Sequence, residues 1–218
     1  LARLVEKKPV LGNLGIGHTR WATHGETRDV NSHPHVGGNG EIALVHNGVI
    51  ENYSSLRSQL QQLGYVFRSQ TDTEVVAHLL AHHLAEQVQL GADPSDPKTC
   101  SRALQMTIKK LKGTYGLAVL FRDCPDTLIA ARAGSPLVVG IGQGEFFIAS
   151  DSSPLVGYTE EVVYLADHEM VVLRPEGMEL VHRDNGQLAP SIQSLDKVSA
   201  DIDLGGYVHY MLKEIFEQ

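Results

Sequence analysis

Helical and strand-like patterns occupy different parts of this chain, and the change falls at Gly113. Before it, apolar residues recur at helical spacing. Ile50, Tyr53, Leu56, Leu60 and Leu63 mark a helix over residues 49–64, closed by Gly64. Thr71-Asp-Thr-Glu74 is a capping box that opens a helix over residues 75–87. Leu104, Ile108 and Leu111 line one face of a third, over residues 100–111, after a loop at residues 91–98. Beyond Gly113 the chain breaks into short apolar runs at 117–121, 127–131, 137–141, 146–149, 162–165, 170–173 and 179–182. Gly, Pro or Asp separates them at close intervals, the texture of antiparallel sheet. Residues 14–18, 42–46 and 65–68 also read as strands, and residues 184–206 as a polar linker. Helices gathered on one side and strands on the other predict α+β layers rather than alternating βαβ units.

The 218 residues, 42% of them hydrophobic, suffice for one large domain or two small ones with a true core. A formal net charge of -8 without a basic run argues against nucleic acid and anionic membrane as main partners. No apolar stretch approaches the ~18 residues of a membrane span, and the opening residues lack the apolar core of a signal peptide. Two cysteines, Cys100 and Cys124, make no disulfide framework, which points to a reducing cytoplasm. The first residue is Leu rather than Met, and residues 210–218 read as a helix without a C-cap. The chain is therefore expected to be a fragment of a longer polypeptide.

Residues 18–52 carry the chemistry. His18-Thr-Arg-Trp-Ala-Thr-His-Gly25, Asn31-Ser-His-Pro-His35 and His46-Asn-Gly48 bring together an Arg, a Trp, five His and an Asn-Gly pair. A buried core does not need that mix; a polar site that grips a small zwitterion does. Arg20 follows a strand end, where a guanidinium fork suits a carboxylate, though a surface ion pair is the commoner setting for an Arg. Asn47-Gly48 is the commonest tight-turn dipeptide. Here a helix rather than a returning strand is expected to follow, and an Asn amide beside a Gly N–H also makes an oxyanion hole. Asp72, in the first turn of a helix, either answers the helix dipole or recognises an ammonium group.

The remaining motifs have plainer readings. His78, His82 and His83, and the pair His33 and His35, have spacings that zinc sites use. No Glu falls inside the 78–82 interval as in His-Glu-x-x-His, and no Cys pair is near, so no metal is expected. Cys100 opens a helix whose dipole would lower its pKa, and Cys124 sits in a turn; neither has a neighbour that looks like a base. Gly140-Ile-Gly-Gln-Gly144 lacks the following helix of a dinucleotide fingerprint and reads as a hairpin turn.

Taken in order, these segments resemble the glutaminase domain of the glutamine–fructose-6-phosphate aminotransferase (isomerizing) family, within the class II, N-terminal-nucleophile amidotransferases. The resemblance runs through Val45-His-Asn-Gly-Val-Ile-Glu-Asn52, Thr71-Asp-Thr-Glu-Val-Val-Ala-His78, Ala131-Arg-Ala-Gly-Ser-Pro-Leu137 and Ile148-Ala-Ser-Asp151 to His209-Tyr-Met-Leu-Lys-Glu-Ile215. The last looks like the lead into a sugar-phosphate isomerase domain. The family fold is an α+β, αββα four-layer sandwich, here expected without its N-terminal strand and helix. The expected division is a glutaminase domain over residues 1–190 and a linker over residues 191–218. The resemblance implies hydrolysis of glutamine to feed ammonia to fructose 6-phosphate, giving glucosamine 6-phosphate and glutamate in hexosamine biosynthesis, without a cofactor and in a homodimer.

By the same resemblance Arg20 holds the glutamine carboxylate and Asp72 its ammonium. Thr23 and His24 line the site, Trp21 gates the ammonia path, and Asn47 and Gly48 form the oxyanion hole. The family nucleophile is an N-terminal cysteine, whereas residue 1 here is Leu. Leu1 is expected to correspond to a position some tens of residues into the family domain, and the isolated fragment to be inactive. Two alternatives stand beside this reading: a non-catalytic glutamine-binding module, and the glutaminase domain of another class II enzyme such as amidophosphoribosyltransferase.

Overall fold

The computed structural model describes residues 7–8, 12–20, 24–184 and 186–195. After a 3-10 turn at Asp29–Asn31 come β1 (His35–Gly37) and β2 (Ile42–Ile50). Three helices follow: α1 (Tyr53–Gln62), α2 (Asp72–Gln89) and α3 (Pro97–Ile108). The remaining strands are β3 (Gly113–Phe121), β4 (Cys124–Ala133), β5 (Val138–Ile141), β6 (Phe146–Ala149), β7 (Glu161–Tyr164), β8 (Glu169–Arg174), β9 (Gly177–His182), β10 (Gly186–Leu188) and β11 (Gln193–Ser194).

Two sheets result. One has seven strands in the order β1-β2-β3-β4-β8-β9-β10, the other four in the order β11-β7-β5-β6. All strand pairs are antiparallel. The larger sheet is the middle layer, because its strands are apolar on both faces. Ile129, Ala131, Met170 and Val172 point into the core shared with the helices. Their neighbours Leu128, Ala130, Val171 and Leu173 point the other way, onto Val139 and Val163 of the second sheet and onto Leu137, which leads into β5. The outer face of that second sheet carries Val138 and Val162, covered by Leu155 of a 3-10 turn (Ser153–Leu155) and by Leu195. Among the described residues the layers therefore number three, helix–sheet–sheet. The outer helical layer of the expected sandwich is not among them.

α2 is enclosed on every side through its first half, with Asp72 to Ala81 all buried. It starts as the capping box predicts, with Thr71 Oγ1 accepting the Glu74 N–H at 3.2 Å. Glu74 does not complete the box. Its carboxylate instead takes the N–H groups of Arg68 (2.8 Å) and Ser69 (2.6 Å). Residues 65–68 accordingly form no strand: the Tyr65 N–H closes the end of α1 on the Leu60 carbonyl and the Arg68 N–H goes to Glu74. Residues 14–18 also form no strand; no described strand pairs with them, and Ile16 packs alone on the inter-sheet core.

Other boundaries move for local reasons. β2 runs on to Ile50 because residues 47–50 stay in register with Gly113–Gly116 of β3, which delays α1 to Tyr53. α3 starts earlier than expected, at Pro97, because Asp96 caps it through the Lys98 N–H with proline at the first position. The expected linker holds β10 and β11, and β11 pairs with β7 at Gln193↔Val162, so the sheet continues past residue 190.

β1 lies so close to α2 that a Cβ on Gly37 would strike the Ala77 carbonyl group. Gly37→Ala is expected to destabilise the fold by about 1–3 kcal/mol, the usual cost of overpacking. Urea denaturation checks this, and an unchanged midpoint would show that α2 is free to yield.

Candidate active site

The C-terminal end of β2, the first turn of α2 and the loop after residue 17 meet around one pocket. His18, Arg20, His24, His33, His46, Asn47, Gly48, Val49, Thr71, Asp72 and Thr73 line it. Its volume of about 210 Å³ is below the ~300–1,000 Å³ of drug-sized sites, so it suits a small metabolite. The pocket thus gathers Arg20, His24, Asn47, Gly48 and Asp72 from three separate segments. Trp21 and Thr23 lie outside the described residues.

Asp72 is buried at the first position of α2, where the helix dipole favours an anion. Its Oδ2 accepts the Ile50 N–H at 2.9 Å, and its Oδ1 lies 3.8 Å from His24 Nδ1. The His24 ring is placed by an edge contact with Tyr53, centroids 4.8 Å apart. Arg20 has a positive φ of 57° and folds its guanidinium back on its own loop. It donates to the carbonyls of His24 (3.1 Å), Gly25 (3.2 Å) and Glu26 (3.2 Å). Three hydrogen bonds to backbone carbonyls fix the direction of the cation, so it is a built element of the loop rather than a surface charge.

Asn47 is exposed, and Gly48 has φ +136°. A side chain there would be strained and would also meet Thr114 and Ser135, so glycine is required on two counts. The strand passes through Asn47-Gly48 without turning, which removes the tight-turn reading.

Four histidines of this region, His18, His33, His35 and His46, are held neutral. Burial pushes His18, His35 and His46 below the ordinary value. Burial, aided by His18, His35, His46 and Arg20, takes His33 down to about 3. His46 Nε2 lies 3.3 Å from the Thr114 carbonyl, so the neutral ring carries its proton there and Nδ1 accepts from Thr73 Oγ1 at 3.2 Å. The His46 N–H in turn donates to His33 Nδ1 at 3.3 Å. His18, His33 and His46 stood out in the sequence only as part of a histidine-dense stretch; their separate places follow from the fold.

The other motifs fall elsewhere. His78 Nδ1 accepts the Gly38 N–H (3.1 Å) and His83 Nδ1 faces Thr107 Oγ1 (3.0 Å), so both tie α2 to its neighbours. Among the described residues no group of three or more His, Cys, Asp or Glu could hold a metal ion. Cys100 lies in the first turn of α3, but burial, with Cys124 beside it, pushes its thiol up rather than down. No described helix is long and apolar enough to cross a membrane.

A family model for the glutamine amidotransferase domain matches residues 18–157. The chain belongs to that family. It is 44% identical over its whole length to the glutamine–fructose-6-phosphate aminotransferase [isomerizing] of Bacteroides thetaiotaomicron, of which it covers 34%. It is 46% identical over 94% of its length to the enzyme of that name from Thermotoga maritima, of which it covers 32%. The chain thus spans about a third of the length of these curated relatives. Among solved structures it resembles glutamine phosphoribosylpyrophosphate amidotransferase from B. subtilis complexed with ADP and GMP. There the TM-score is 0.61 at 26% identity, over 77% of this chain and 34% of that one. A second likeness, to a structure titled the allosteric regulatory enzyme of purine biosynthesis, has a TM-score of 0.57 at 27% identity, over 71% and 32%.

The neutral histidines give a pH signature. An unfolded histidine takes up its proton near 6.5, while the folded His33 resists protonation down to about 3. The stabilisation is complete above pH ~6.5 and is lost as pH falls toward 3. Glu74 adds a second loss below its ordinary 4.5. Burial would raise it, but the His78 ring at 3.8 Å and hydrogen bonds from the Ser69 hydroxyl and the backbone of Arg68 and Ser69 outweigh this and hold it at about 2. The melting temperature should therefore drop as pH falls from about 6.5 to 4, and His33→Gln should flatten the drop. Thermal melts across that range check it; a flat wild-type profile would contradict neutral histidines.

Proposed function

We propose that this chain is the glutamine-hydrolysing part of an amidotransferase that turns fructose 6-phosphate and glutamine into glucosamine 6-phosphate and glutamate. The observation that carries the reading is that Arg20, His24, Asn47, Gly48 and Asp72 line one small pocket. An amino acid with a side-chain amide presents a carboxylate, an ammonium and a carbonyl. The pocket offers a guanidinium, a carboxylate and an Asn-Gly pair to match.

In this reading Arg20 takes the α-carboxylate and Asp72 the α-ammonium. With His18, His33 and His46 neutral, these two supply opposite charges of the sign the zwitterion needs. Thr23 and His24 line the glutamine site, and Trp21 gates the route by which ammonia leaves. The thiol of the nucleophilic cysteine gives its proton to the same cysteine's α-amine and attacks the side-chain amide carbon, the oxygen takes up negative charge, and that proton then passes to the leaving nitrogen. The Asn47 amide and the Gly48 N–H stabilise that oxyanion, the C–N bond breaks and ammonia departs. Water then cleaves the thioester, giving glutamate and regenerating the thiol. The nucleophile is an N-terminal cysteine of the complete polypeptide, outside these 218 residues. Fructose 6-phosphate binds a second domain, also outside them, and the whole enzyme is a cytoplasmic homodimer.

The synthase assignment rests on the higher identity of the curated aminotransferases, 44–46% against 26% for the phosphoribosylpyrophosphate amidotransferase. It also rests on the sequence at residues 209–215, which lies outside the described residues.

In the complete enzyme, Asn47→Ala should cut glutamine hydrolysis about 10²–10³-fold, the usual cost of one oxyanion donor. A glutaminase assay reads this directly, and an unchanged rate would remove Asn47 from the chemistry. Arg20→Ala should raise the glutamine KM, and Arg20→Lys should not restore it, because an ammonium cannot reproduce the planar fork. Steady-state kinetics showing the wild-type KM in either variant would refute the clamp.

A further inference from the structure

Resting on this reading of the pocket, we propose that Asn31 is a positioning residue that fixes the distance between the two charged ends of the glutamine site. It ends the 3-10 turn Asp29–Asn31 and is fully buried, although nothing about an amide favours burial by itself. Its side chain joins the two segments that carry the charges. Nδ2 donates to the Glu26 carbonyl at 2.9 Å, the same carbonyl that receives Arg20 Nη1 at 3.2 Å. Oδ1 accepts the Gln70 N–H at 3.0 Å, two residues before Asp72. Nδ2 also reaches Gln70 Oε1 at 3.5 Å.

Both main partners are backbone groups of fixed polarity, one acceptor and one donor. Only a side chain that offers a donor and an acceptor in one plane satisfies both. The loop that orients the Arg20 guanidinium is thereby tied to the loop that leads into α2. The α2 end is already rigid, since Glu74 holds Arg68 and Ser69 and Asp72 holds Ile50. Asn31 carries this rigidity to the Arg20 loop through hydrogen bonds, beside the looser contact of the His24 ring with Asp72 at 3.8 Å. Without it, the cation keeps its own three carbonyls, but the loop as a whole loses its register against Asp72.

The test compares amides that carry both, or only one, of the α groups. In the complete polypeptide, kcat/KM is measured for L-glutamine, for glutaramate, which lacks the ammonium, and for 4-aminobutanamide, which lacks the carboxylate. A ligand bound at one end does not depend on the spacing of two. Asn31→Ala is expected to lower kcat/KM for L-glutamine about tenfold more than for either analogue, mostly through KM. Asn31→Asp keeps the acceptor for Gln70 but puts an oxygen against the Glu26 carbonyl, and is expected to narrow the same preference. Should the alanine variant fail to fold, the aspartate variant decides.

Equal losses on all three amides would make Asn31 a merely structural residue and overturn the proposal, as would an unchanged preference. Wild-type enzyme without any preference for L-glutamine over the two analogues would instead overturn the reading of the pocket. The two failures are therefore distinct.

Discussion

One buried carboxylate oxygen joins the two halves of the site. Asp72 Oδ2 accepts the amide of Ile50, the last residue of β2, and both partners are buried. A charge-assisted bond of this kind is stronger than a neutral one. Removing either partner would leave a polar group stranded in the core. The bond sets the end of β2 against the start of α2, and so sets Asn47 and Gly48 against Asp72. Everything else in the pocket is arranged around that junction. The neighbouring His46 fills the space between strand and helix through Thr73 and the Thr114 carbonyl, and remains uncharged.

The junction is stiff because of what lies behind it. β2 and β3 pair along the whole of β2, and the helices pack on one face of their sheet while the second sheet packs on the other. Each fully buried Leu, Ile or Val in these two cores contributes about 1.5–3 kcal/mol from burial. Both faces of the middle sheet are covered where β4 and β8 pair, with Leu128 to Ala131 and Met170 to Leu173 all buried. The strand end that carries Asn47-Gly48 is therefore held by a layer that cannot bend without opening a core.

Patterns that depend on neighbours in sequence were legible before the fold was known. The capping threonine of α2, the helical periodicity of α1 and α3 and the seven short strands after Gly113 all lie where alternation and punctuation place them. What failed was everything decided at long range. Residues 65–68 look like a strand, yet the Tyr65 N–H belongs to the Leu60 carbonyl at the end of α1 and the Arg68 N–H to Glu74. Ile50 fits a helical stripe, yet it is a strand residue because its backbone answers Asp72 and β3. β10 and β11 are too short and polar to announce themselves, and only pairing with β9 and β7 makes them strands. In the site, Arg20, Asn47 and Asp72 each had a blander explanation from position alone, and resemblance gave them weight. Asn31 gave no signal of its own, since its importance lies in two backbone partners at residues 26 and 70.

The enclosure of α2 bears on selectivity by length. With Asp72 to Ala81 buried around the full circumference, the helix can neither rotate nor slide. On the proposed reading, the step from Asp72 to the Asn47-Gly48 pair is then a ruler. It measures from the ammonium of a bound amino acid to its amide carbonyl, and it does not stretch. A homologue one methylene shorter, such as asparagine, can satisfy the charged end or place its carbonyl, but not both at once. Discrimination between two such similar amides would then come from the immobility of a helix and not from any side chain that touches the missing carbon.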